Sequence, residues 1–105
     1  MRSLAIVCLA VSLAAADGKP VVKNAFAFDW LHPKSSKCAK VTGALDTKLG
    51  SKQFTCVAPD GSTGTASGKP LLATCTERGK KTEYLVFAKL DDCKAERDTQ
   101  LANGE

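Results

Sequence analysis

The side chains with chemical capability in this chain are five cysteines, one histidine and 11 acidic residues, set among 15 lysines and arginines. Cys38, Cys56, Cys75 and Cys93 stand at near-equal intervals, with 17, 18 and 17 residues between them. Four thiolates can hold zinc, but structural zinc sites bring their ligands in pairs two to four residues apart, and no C-x-x-C occurs. Its absence also argues against a redox-active dithiol. An even set of cysteines in an exported chain reads as a disulfide framework. Of the three connectivities, helix-to-strand pairing (Cys38–Cys56 with Cys75–Cys93, or the crossed version) is favoured over the nested Cys38–Cys93 with Cys56–Cys75. A bridge between flat neighbouring strands is often strained.

His32 is the single histidine, so any histidine acid–base mechanism must use it. No nucleophile elbow or free thiol accompanies it. Among carboxylate pairs, Glu77 and Glu83 fall on opposite faces of an expected hairpin, and Asp91-Asp92 suits the start of a helix. Gly64-Thr65-Ala66-Ser67-Gly68-Lys69-Pro70 resembles a phosphate loop only superficially, with three residues between the glycines and proline after the lysine. It reads as a polar flexible loop. No catalytic residue, cofactor or metal ligand is assigned.

Export is read from the N-terminus. Met1-Arg2-Ser3, the apolar run Leu4–Leu13 and Ala14-Ala15-Ala16 before Asp17 form a signal-peptide pattern. The run is about ten residues, whereas a bilayer span needs roughly 20. Residues 1–16 are therefore expected to be cleaved, taking Cys8 with them, leaving no transmembrane segment in the mature chain and placing it in a secreted or periplasmic compartment. The mature chain has 89 residues and a mild net charge of +3. That excess is too small and too sparse in interleaved aromatics for nucleic-acid binding.

Residues 17–24 read as a flexible N-terminal segment and 25–105 as a single α+β domain. Its expected core is a three-stranded antiparallel sheet (53–57, 71–77, 82–89) packed by helices near 36–49 and 91–102, with a fourth N-terminal strand near 25–31. Cys38, Val41, Leu45 and Leu49 recur at helical spacing, as do Leu90, Cys93, Arg97 and Leu101. The hairpin around Arg78-Gly79-Lys80-Lys81 sets 77 opposite 82, 75 opposite 84 and 73 opposite 86. One face then carries Leu71, Ala73, Cys75, Tyr84 and Val86, and is expected to meet both helices. The other carries Leu72, Leu85 and Phe87, and the extended stretch Phe26, Phe28, Trp30 is expected to cover it.

These features point to a monomeric, non-enzymatic binding module, such as an inhibitor, effector or envelope-associated factor, with a protein or glycan partner. Candidate surfaces are the 60–70 loop, the turn residues Arg78, Lys80 and Lys81, and Phe26, Phe28 and Trp30 if exposed. The alternative is a small secreted hydrolase, such as a nuclease, using His32 with a carboxylate.

Overall fold

A computed structural model describes residues 20–60 and 64–104. The signal-peptide reading, its cleavage position and Cys8 lie outside the described residues. Among the described residues, no helix is long and apolar enough to cross a membrane.

The elements are β1 (Phe26–Asp29), β2 (Ala39–Lys40), α1 (Gly43–Leu49), β3 (Phe54–Val57), β4 (Ala73–Glu77), β5 (Glu83–Phe87) and α2 (Leu90–Ala102). The strands form one antiparallel sheet in the order β2-β1-β5-β4-β3. It has five strands where three and a fourth segment were expected. The β4–β5 register matches the sequence expectation, with Cys75 opposite Tyr84 and Ala73 opposite Val86. Gly79, at φ +68°, makes the turn possible, since a side chain disfavours that left-handed backbone.

The expected helix over 36–49 is shorter. Ala39–Lys40 is extended instead and pairs with β1 as an edge strand. The Val41 N–H donates to the Ala25 carbonyl and the Asn24 N–H to the Val41 carbonyl, both at 2.8 Å. Gly43, at φ +53°, then breaks any continuous right-handed helix, so only Gly43–Leu49 coils. Cys38 therefore lies outside a helix. By contrast α2 matches its expected bounds within one residue, with Asp91 and Asp92 complementing the dipole of its first turn.

The two helices cover opposite faces of the sheet, which corrects the expectation that both meet the cysteine face. On that face Ala27, Val41, Leu49, Phe54, Cys56, Ala73, Cys75 and Val86 form one core with Val22 and Ala25. Leu45 of α1 packs against it, and so does Leu72, although strict alternation assigned Leu72 to the other side. The Leu72 N–H donates at 2.7 Å to the Val86 carbonyl, and Val86 already faces Ala73. Two residues opposing one is the pattern of a β-bulge, and it turns Leu72 round.

On the second face Phe28, Leu85, Phe87 and Cys93 are buried, with Phe26, Trp30, Cys38 and Leu71 packed around them. The cover is α2, not the aromatic segment. Phe26 and Phe28 lie within the sheet as β1, beside β5, and add their rings to the face that α2 covers.

The disulfides follow this division and overturn the favoured helix-to-strand pairing. Cys56 and Cys75 lie directly opposite each other on β3 and β4. The Arg78 N–H to Gln53 carbonyl bond makes 53/78 a hydrogen-bonded pair, so 56/75 is a non-hydrogen-bonded pair, where facing side chains approach most closely. Cys38 and Cys93 meet at the other core, tying the segment before β2 to the first turn of α2. A thiol on one face cannot reach one on the other through the sheet.

Candidate functional site

The 29–36 turn holds His32, whose Nδ1 lies 2.8 Å from Asp29 Oδ2. Asp29 is buried, and its other oxygen accepts from the N–H groups of Leu31 at 3.0 Å and Glu83 at 3.2 Å. The Asp29 N–H donates to Ser36 Oγ at 2.7 Å, and the Ser36 N–H to the His32 carbonyl at 2.9 Å. From α2, Arg97 Nε reaches the carbonyls of Pro33 and Ser36, both at 2.9 Å. These contacts tether the turn: Asp29 Oδ1 and the Arg97 guanidinium bind backbone groups that would otherwise be unsatisfied, while Asp29 Oδ2 holds the His32 ring. Among the described residues, no lysine or arginine ion-pairs with Asp29.

Phe28 is fully buried and offers no partner surface; Phe26 and Trp30 are half-buried. Arg78, Lys80 and Lys81 are exposed at the β4–β5 turn. Glu77 and Glu83 occupy opposite faces, as their register requires.

A different constellation is built around Glu96. This carboxylate is fully buried on α2 beside the 64–70 loop. Its Oε1 accepts the Ser67 N–H at 2.8 Å, while Oε2 accepts the Ala66 N–H at 3.1 Å and Gln100 Nε2 at 2.9 Å. Burial pushes the Glu96 carboxyl up, but the Ser67 hydroxyl, the Gln100 amide and the backbone N–H groups of Ser67 and Ala66 together outweigh it and hold the pKa below its ordinary 4.5. The loop that resembled a phosphate cradle does present backbone N–H groups to an anion, and the anion belongs to its own chain. The loop is pinned rather than free: Thr65 Oγ1 also donates to the Lys69 carbonyl at 2.7 Å. The available sequence signal was an acidic residue three positions after Cys93 and four before Gln100, on the inward side of α2.

Pinning the loop roofs a pocket of about 400 Å³ on the α2 face of the sheet. Its walls include Trp30, Leu71, Thr74, Glu83, Leu85 and Glu96. Within it Trp30 Nε1 donates to Glu83 Oε1 at 2.7 Å, and Thr76 Oγ1 donates to Glu83 Oε2 at 2.6 Å. Apolar walls with a few fixed polar groups are the usual make-up of a ligand cavity, and this volume lies within the common range of roughly 300–1,000 Å³. Neither His32 nor Asp29 lines it.

No protein-family profile, curated protein or solved structure matches this chain. Function therefore rests on the geometry.

The Glu96 latch has a pH signature. A carboxyl whose folded pKa is depressed stabilises the fold above its unfolded pKa, and that contribution is lost as pH falls through the folded value. Amide exchange at Ala66 and Ser67 should therefore be slow relative to free loop amides above pH 4.5 and accelerate below it. Glu96→Gln should flatten this dependence, and Glu96→Ala should destabilise the fold by about 1–3 kcal/mol through the unpaired loop donors.

Proposed function

We propose that this chain is an exported, disulfide-braced binding module whose ligand site is the pocket roofed by the 64–70 loop. The pinned roof carries this reading: a loop held by a buried carboxylate over the sheet keeps a preformed cavity, which lowers the ordering cost of binding. Two disulfides support the exported compartment. The site joins two of the surfaces expected from sequence, the 60–70 loop and Trp30.

The test is a ligand-observed NMR screen of small fragments against the oxidised protein and against Thr74→Phe, which fills the floor. Hits should compete with one another and be lost in Thr74→Phe. Hits retained in the variant, or none at millimolar fragment, would remove the pocket from the proposal.

A second reading, the small secreted hydrolase, has the 2.8 Å His32–Asp29 contact in its favour. General acid–base work needs such contact. Asp29, however, is already occupied with backbone donors, and His32→Ala should leave fragment binding unchanged. A nuclease activity abolished by that substitution would restore the enzyme reading.

A further inference from the structure

Among the described residues, the two charged ones lining the roofed pocket are both carboxylates, Glu83 and Glu96, and no lysine or arginine lines it. This is notable in a chain with 15 lysines and arginines against 11 acidic residues. The two carboxylates differ in what they have left to offer. Glu96 is largely occupied, because two backbone N–H groups and the Gln100 amide fill three of the roughly four acceptor positions of a carboxylate. Glu83 receives two donors, Trp30 Nε1 and Thr76 Oγ1, one on each oxygen. About two of its acceptor positions therefore remain for a ligand. Those two donors also fix the carboxylate's orientation, so it needs no reordering when a ligand arrives.

We propose that this pocket takes a small organic ammonium ion, with its cationic head on Glu83 beside Trp30 and its apolar body against Leu71, Leu85 and Val57. The proposal rests on the pocket being the binding site. An ammonium N–H supplies charge-assisted hydrogen bonds to the open positions of Glu83. The charge of Glu96, held a short way along the same cavity, adds attraction for a cation and repulsion for an anion. Val57, 55% exposed at the pocket's edge, leaves apolar surface for the ligand to cover.

The experiment is a titration of the oxidised protein by isothermal calorimetry and ¹H–¹⁵N NMR with 2-phenylethylamine, its neutral counterpart 2-phenylethanol, and phenylacetate. The amine should bind about tenfold or more tightly than the alcohol, the equivalent of one charge-assisted bond, and phenylacetate should not bind measurably. Glu83→Gln should reduce the amine to about the alcohol's affinity, with a far smaller effect on the alcohol. Val57→Lys, at an exposed position, should weaken the amine more than the alcohol, because both lose the Val57 contact and only the amine meets the added ammonium. Equal affinity of amine and alcohol in the native protein overturns the ammonium assignment while the pocket stays a binding site. Failure of all three probes to shift pocket resonances overturns both. A lysine-containing peptide that binds tenfold more tightly than the free amine replaces the small molecule by a partner's side chain and overturns the proposal.

Discussion

Replacing Cys38 and Cys93 together by alanine should lower the unfolding free energy by about 4 kcal/mol, while the same change at Cys56 and Cys75 should cost about 3 kcal/mol. The order follows from the stretch of chain each bridge closes, 55 residues for Cys38–Cys93 and 19 for Cys56–Cys75. The loss at Cys38–Cys93 is comparable with the whole net stability of a marginal domain, roughly 5–15 kcal/mol. The bridge also joins what little else joins: the segment before β2 lies at the sheet edge, and α2 reaches it through that bond and through Arg97 on the 33–36 carbonyls. Cys56–Cys75 links strands already paired along four residues each. Urea unfolding of the oxidised protein and the two double variants would check the order. A larger loss at Cys56–Cys75 would mean that the ladder between β3 and β4 depends on its bridge.

Phe28→Ala should destabilise by about 3–5 kcal/mol, the range for removing a buried aromatic ring from a packed core. Phe28 is fully buried between β5 and α2, against Leu85, Phe87 and Cys93. Val21→Ala, at a position 79% exposed, should stay within about 0.5 kcal/mol. The pair separates the core reading of the aromatic strand from an interface reading. An interface ring would be nearly neutral for stability and costly for binding, and the expected result is the reverse.

How much of this was legible in the sequence depended on which residues carried the signal. The β4–β5 hairpin was readable because Gly79 marks its turn and a period of two fixes its register. Helix α2 was readable because acidic residues open it and Asn103-Gly104 closes it. The spacing of Cys38, Val41, Leu45 and Leu49 marked residues that do turn inward, Val41 and Leu49 fully, yet it misjudged the path between them. A helical period and a bent strand followed by a short helix can place the same residues inside. The disulfide pairing was not legible, because it depends on which face each cysteine takes, and that is settled only once α1 and α2 choose opposite sides. The pocket was hidden for a related reason: Trp30, Thr74, Glu83 and Glu96 come from separate stretches that only the folded sheet brings together.

The most direct measurement of the binding account follows the single tryptophan. Its indole N–H, bonded to Glu83, should give one resolved ¹H–¹⁵N resonance within the pocket. During titration with a fragment hit, that signal should shift together with the amides of Ala66, Thr74 and Leu85, while those of Arg78, Lys80 and Lys81 stay in place. Shifts confined to the 78–81 turn, with the indole signal unmoved at saturation, would contradict the account and move the binding surface to the far end of the hairpin.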